Sequence, residues 1–587
     1  MKGSRPAVRD AVVRAALGVA LAAAFVAACS SPARALSFDT TGWWRTRYFY
    51  EENTPLNPAT GNNLNTEFLD YRFALYPTLG VTDEIKLKAR VDILDNVIWG
   101  NNDNEPSILT GLAKGTSSFD RALKPVEEVQ INHLYGEIRT PVGLLRVGRQ
   151  PSNFGLGILA NGGGSLEWGP DGNGPEAGDT VDRALFLTDL GVPMGWHDQH
   201  LITAVAYDRT VELDVFQQGD DVNDFILANL YTDGSISPRV TGDTEAGIYS
   251  VLVTKSASAA DVGLQEGYFH VRREVSEGFA LFMEGEGVVA FGSSKRSGLV
   301  PNNKRQDFID SIKTGLEGQL GSFGDQIADH GTDIGLVANA VAKGLVDNGL
   351  SPKVAQTIAT EGASAGFDVA RDEPLDIFLG GGVVRGGMES GPLRLTGEWG
   401  YSSGGDGKNA LINFVGPVAG KGPEAKAAVA AQENDALCAA LTGTKVGSYP
   451  FDTEYDVAVI LYHEVGPLEP VNLQPDVHNT TYLKGTGEWK LDDATRLWSS
   501  LIWGELNRGV ETYHIVGADD GDPTTPVTVV SDGTKKDLGV EIDWGIDRKF
   551  GDNLRAEIKM GYLFVGSAFG PTAQDIFMVR PQLAVIF

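Results

Sequence analysis

The chain has 587 residues, with 48 Lys and Arg against 78 Asp and Glu and a formal net charge of −30. So acidic a balance excludes the basic surface that phosphate neutralisation on a nucleic acid demands, and 73 Gly with 27 Pro disfavour a helical bundle. The two cysteines, Cys29 and Cys438, exclude a disulfide framework and a cysteine-based zinc site in the mature chain.

Residues 1–35 read as an export signal peptide. Lys2, Arg5, Arg9 and Arg14 precede the apolar run Ala15 to Ala28, a breaker at Pro32 and the small-x-small site Ala33-Arg34-Ala35. The mature domain then spans 36–587. An alternative processing site is Val26-Ala27-Ala28-Cys29, which resembles a bacterial lipobox and would leave Cys29 lipidated. No later stretch approaches the roughly 18 continuous apolar residues of a membrane helix, so any crossing falls to strands.

Period-two alternation follows along the chain. Trp44, Tyr48 and Tyr50 alternate with Arg45 and Arg47, and Leu69, Tyr71, Phe73 and Leu75 with Asp70 and Arg72. Ile85, Leu87, Ala89, Val91 and Ile93 form one face of a strand whose other face is Lys86, Lys88, Arg90 and Asp92. The pattern returns at Gly267–Arg272, at Leu281 and Met283 beside Glu284 and Glu286, and at Leu393, Leu395 and Trp399 beside Arg394 and Glu398. It closes with Leu538, Val540, Ile542 and Trp544 against Glu541 and Asp543, then Leu554, Ala556, Ile558 and Met560 against Arg555, Glu557 and Lys559. One such strand suits a soluble sandwich; many in series predict a transmembrane antiparallel barrel with lipid outside and a charged lumen inside. Aromatics near strand ends, among them Trp43, Trp44, Tyr50, Tyr71, Tyr76, Trp399, Tyr401, Trp544 and Tyr562, read as interfacial girdles.

Short turns and long loops alternate in such barrels. Turns are expected at Gly80 to Glu84, Thr140 to Gly143, Ser276 to Gly278, Gly386 to Gly391, Leu491 to Thr495 and Asp547 to Asn553. Long external segments are expected at Glu51 to Thr66, Asp95 to Glu128, Asn153 to Thr180, Gly292 to Asp372, Ser402 to Phe451 and Arg508 to Lys536. Nineteen strand candidates violate the alternation. Assigning Tyr455 to Val465 to the preceding loop, folded into the mouth, leaves about 18 strands, with sixteen and twenty as the neighbouring counts; the count also needs a weak strand near Val222 to Tyr231. Within one external loop, residues 306–371 break the pattern: Phe308, Ile312, Leu316 and Leu320 recur every four residues, predicting a helical insert that caps or plugs the pore. Pro423 to Leu441 reads as a second helical stretch.

The tail alternates Leu583, Val585 and Phe587 with Gln582, Ala584 and Ile586. It resembles the recognition signal of the barrel-assembly machinery, an expected partner beside outer-membrane lipid and lipopolysaccharide. Together with Val147-Gly148-Arg149-Gln150, Gly155-Leu156-Gly157 and Glu398-Trp399-Gly400-Tyr401-Ser402-Ser403-Gly404, the chain resembles the Gram-negative porin group that includes the alginate-export family. The resemblance implies a barrel of about eighteen strands conducting an anionic solute or polysaccharide, with Arg149 as a lumen-facing positive group. By parity, however, Arg149 falls with lipid-facing Val147.

By face, the candidate pore lining is Arg45, Arg47, Asp70, Arg72, Lys86, Lys88 and Arg90 from the first strands, and Arg555, Glu557, Lys559 and Arg580 brought beside them by closure. Glu266, Glu284, Glu286, Asp376, Glu398, Glu541 and Asp543 give acidic walls elsewhere, with Arg394 among them. Facing walls of opposite sign would order dipolar solutes and set ion preference; alternatively the charges pair across strands and solvate a closed barrel. The function expected is a channel for small hydrophilic or anionic solutes or polysaccharide. The alternative is a surface structural or adhesive barrel with a closed lumen. No catalytic constellation is expected: Gly362-Ala363-Ser364-Ala365-Gly366 matches a hydrolase elbow in spelling, but the residues before it read as helix, not strand. No cofactor is expected, the acidic loops, Asp519-Asp520-Gly521-Asp522 above all, being candidates for calcium without EF-hand spacing.

Overall fold

The computed structural model describes residues 36–53, 65–98, 129–163, 168–170, 178–211, 222–233, 244–255, 260–295, 374–404, 449–452, 455–463, 465, 477–509, 535–569 and 573–587. The leader, the insert 306–371, Pro423 to Leu441, Ser364 and Asp519 to Asp522 lie outside the described residues.

Alternation produces strands wherever it was read. In chain order they are β1 (Ser37–Glu52), β2 (Asn65–Gly80), β3 (Ile85–Ile98), β4 (Val129–Thr140), β5 (Gly143–Pro151), β6 (Thr180–Asp189), β7 (His200–Val211), β8 (Val222–Thr232) and β9 (Thr244–Lys255). The second half is β10 (Ala260–Ser276), β11 (Phe279–Lys295), β12 (Pro374–Ser390), β13 (Leu393–Ser402), β14 (Thr480–Lys490), β15 (Thr495–Leu506), β16 (Asp537–Phe550), β17 (Leu554–Val565) and β18 (Ile576–Ile586). Each pairs antiparallel with its neighbours in sequence, and β1 pairs with both β2 and β18, so the 18-stranded sheet closes on itself and has no edge.

The seam is fastened at the C-terminus. Gly42 N–H donates to the Phe587 carbonyl at 2.9 Å and Phe587 N–H to the Gly42 carbonyl at 3.0 Å. The Phe587 ring stacks on Phe73 at 5.7 Å. A Cβ at Gly42 would stand 2.8 Å from the Phe587 ring and 2.6 Å from the Ala74 carbonyl, so glycine is what lets the last residue lie down on β1.

Two turns are tighter than the sequence suggested. β12 runs through Gly386 and Gly387, which pair with Gly397 and Thr396, to leave a turn at Gly391-Pro392. Likewise β16 continues to Phe550. Glycine reads as turn in a sequence, but an extended glycine costs a central strand little when both neighbours supply its hydrogen bonds.

The outer wall is apolar. Leu134, Val147, Val205, Leu227, Ile248, Met283, Leu395, Leu483, Leu501, Ile558 and Phe564 are all exposed on it, a surface only hydrocarbon can cover. A closed barrel with such a wall is built to cross a membrane by its strands. Trp43 departs from the girdle expected for it: it turns inward, 3% exposed, among arginines. Leu538 also leaves the outer face, because a bulge opposite Gly504 and Glu505 reverses the parity there and buries it inside.

Candidate functional site

The inner faces of β1–β3, β17 and β18 carry the basic residues expected of them. Arg45, Arg47, Arg72, Arg90, Lys559 and Arg580 are buried inside the barrel, and Lys559 and Arg580 are direct cross-strand partners. Aromatic rings stand between the cations. Arg45 and Arg72 each lie 5.7 Å from the Trp43 ring, Arg47 and Arg580 lie 5.1 and 5.5 Å from Phe49, and Arg90 lies 5.9 Å from Tyr76. These contacts hold like charges close together by giving each a polarisable face.

Carboxylates temper the seam. Arg47 grips Asp70 with two parallel bonds of 3.2 and 2.8 Å. Asp92 is a hub for Arg72, for Arg90 at 3.1 Å and for Asn132 at 2.6 Å. Lys88, half-buried, and Arg146 share Glu137 at 3.1 and 3.0 Å, and Lys86 stands opposite the same glutamate. Arg183 grips Asp208 at 2.7 and 2.6 Å on the next strands. Glu137, Arg146, Arg183 and Asp208 were not among the expected pore residues, although each shares strand parity with an inward neighbour.

A second set of expected residues gathers on β10–β17. Glu284 binds Arg385 and accepts from His270 Nδ1 at 3.1 Å. Arg394 lies at the turn-side rim, 3.8 Å from Glu488 and 4.6 Å over the Phe282 ring. Arg496 bridges Glu488 and Asp547 at 2.8 Å each, and Arg555 completes the mesh through Asp547 at 2.7 Å. Glu557 lies 3.9 Å from Lys559. Of Asp376, also expected here, only the backbone pairing with Ser293 is described.

Arg149 contradicts its assignment. It lies beside Leu134 on the outer face, half-exposed and paired with Asp182 at 2.9 and 3.0 Å. β5 keeps an uninterrupted register with β4 through Gly148, so residue parity holds and no bulge turns the arginine inward.

Two connections enter the lumen. The one after β5 lays Leu156, Gly157 and Ile158 against Glu286, then carries Trp168–Pro170 to the far end. There Arg496 donates to the Trp168 carbonyl, Gly169 N–H to Glu557 at 2.8 Å and Lys484 to the Pro170 carbonyl at 3.3 Å. The one after β13 inserts Tyr455–Val465, the segment assigned from parity to a loop folded into the mouth. Val459 N–H donates to Asp543 at 3.2 Å, and Ile460 and Leu461 N–H donate to Glu541 at 2.8 and 2.7 Å. Tyr455 and Tyr482 hydroxyls both donate to Glu398. Around them Val457, Ile460, Leu461, Tyr462, Ile502, Leu563, Ile576 and Met578 form an apolar core inside the barrel. Burial raises the Tyr449 and Tyr462 phenols of this connection well above their ordinary range.

No protein-family model matches the chain, and no curated protein matches it. Among solved structures it is similar to OpdL of Pseudomonas aeruginosa, at 10% identity over 94% of this chain and 98% of that one, TM-score 0.43. OccAB1 of Acinetobacter baumannii gives 9% identity over 94% and 96%, TM-score 0.44. The outer membrane protein OprD of Pseudomonas aeruginosa gives 9% over 94% and 95%, TM-score 0.41. None of the three supports the alginate-export resemblance drawn from short motifs.

Proposed function

We propose that the barrel is an outer-membrane channel for small hydrophilic solutes, with anions preferred. The observation that carries this reading is the seam: Arg45, Arg47, Arg72, Arg90, Lys559 and Arg580 outnumber the carboxylates among them, Glu51, Asp70, Asp92 and Glu557. Concentrated inside a low-dielectric wall, that excess favours an anion over its counter-cation. Small solutes suit this lumen better than a polysaccharide, because two chain segments cross it. The pairing of Phe587 with Gly42 at the closing seam supports the reading of the tail as a signal for the assembly machinery.

Single-channel recording in a salt gradient tests the reading. A reversal potential on the anion side is expected, and it should move toward zero when Arg45 and Arg580 are both replaced by Gln. Cation preference or absence of conductance overturns it. The second reading, a closed barrel serving as a surface anchor, is favoured by the complete burial of the same arginines, and absence of conductance is its signature.

A further inference from the structure

Both segments that enter the lumen are fastened in the same way, by wall carboxylates that bind backbone amides. On β11, Glu286 Oε2 accepts the Leu156 N–H and, at 3.1 Å, the Gly157 N–H, while Oε1 accepts the Ile158 N–H at 3.0 Å. Gly155 and Gly157 have φ of 55° and 87°, which aims successive amides at one point and makes an anion-binding concavity of the backbone. A Cβ at Gly155 would collide with Glu286 Oε2. On β16, Asp543 and Glu541 take the three consecutive amides of Val459, Ile460 and Leu461. The segments are then joined to each other: Asp452 N–H donates to the Ile158 carbonyl at 3.0 Å and the Tyr449 hydroxyl to the same oxygen at 3.3 Å.

These carboxylates contribute nothing to strand pairing, because β11 and β16 are paired on both sides through their own backbones. A buried carboxylate without donors is costly. Inserting each segment supplies those donors and lowers that cost, so wall and segment hold each other in place.

We propose that Glu286 and the Glu541–Asp543 pair are positioning residues that latch the two segments across the lumen and so set its calibre. The proposal rests on the channel reading for its consequence, not for the latch itself. The amides fix position without specifying side chains, which leaves the lumenal surface of each segment free to define the size of solute admitted.

The test uses the full barrel refolded in lipid, with hydrogen exchange and single-channel conductance measured on Glu286→Ala, Glu541→Ala, Glu286→Gln, Gly155→Ala and Glu137→Gln. Glu286→Ala should speed exchange of the Leu156, Gly157 and Ile158 amides by roughly tenfold or more, the loss expected for hydrogen bonds to a charged acceptor, and raise unitary conductance. Glu541→Ala should do the same at Ile460 and Leu461. Gly155→Ala should reproduce Glu286→Ala from the segment side, and Glu286→Gln, which keeps one acceptor oxygen, should restore part of the protection. Glu137→Gln removes a lumenal charge that touches neither segment and should leave both exchange profiles unchanged. A Glu286→Ala barrel that folds, as judged by heat-modifiable migration, yet exchanges these amides at the parent rate overturns the latch, as does an equal acceleration in Glu137→Gln. A parent that does not conduct while exchange responds supports the latch and removes the channel reading.

Discussion

The two sides of the lumen are built from strands of the same alternation and end in opposite chemistry. On β1–β3 the inward positions include Arg45, Arg47, Asp70, Arg72, Arg90 and Asp92, where arginines grip aspartates across strands with aromatic rings between the cations. On β14–β18 the inward positions include Tyr482, Ile502, Leu563, Ile576 and Met578, which recruit an inserted segment to cover them. Period two decides which residues face in. Whether the space is then held by ion pairs or filled by protein depends on what those residues are.

The charged side should fail hardest when one partner of a pair is removed. Arg47→Ala removes the bidentate partner of the fully buried Asp70, and breaking a buried pair from one side costs about 3–5 kcal/mol. Denaturant unfolding in lipid should show that loss, and Arg47→Met with Asp70→Leu should recover much of it. No loss in the single variant would mean that water reaches Asp70 and that the seam is not sealed.

The apolar side should fail locally. Ile460 is 0% exposed at the centre of the internal core, and Ile460→Ala costs about 2–5 kcal/mol for a truncation of this kind. Because the strands pair without the segment, the cost should appear as protease cleavage near Ile460 in a barrel that still migrates as folded. Global unfolding would show that the insert supports the wall itself.

A smaller effect belongs to the junction of the two inserted segments. Burial raises the Asp179 carboxyl above its ordinary range, against the lowering influence of its hydrogen bond with Asp452. A group raised in the folded state favours its protonated form there, so its contribution is complete in acid and is lost as pH climbs through the raised value. Amide protection at Asp452, corrected for intrinsic exchange, should therefore be highest at acidic pH and fall toward neutrality. Asp179→Asn should flatten that dependence.

Strand placement was legible because lipid on one side and charge on the other write themselves into every second residue; even the eighteen-strand count followed from treating Tyr455–Val465 as an insertion. The latches were not legible. Their donors are backbone amides, present at every residue, and Gly155-Leu156-Gly157 entered only as part of a resemblance, not for the positive φ of its glycines. Ion-pair partners such as Glu137 and Asp208 were hidden for a different reason: their strands lacked the uniform charged face that drew attention to β3. Where resemblance and parity disagreed, at Arg149, parity described the molecule.

Arg149 therefore supplies the weakest perturbation and a sharp contrast with Arg47. Both grip a single aspartate through two bonds, yet Arg149 and Asp182 are 54% and 52% exposed on the outer face whereas Arg47 and Asp70 are fully buried. Arg149 and Asp182 each lie two residues from the loop-side ends of β5 and β6, where water and headgroups rather than hydrocarbon meet the pair and screen it, so Arg149→Ala should cost no more than about 1 kcal/mol. Its distance from the lumen should also leave unitary conductance and reversal potential at parent values. An anion preference that fell as far in Arg149→Ala as in the seam variants would show that charge on the outer face, and not the seam, governs selectivity.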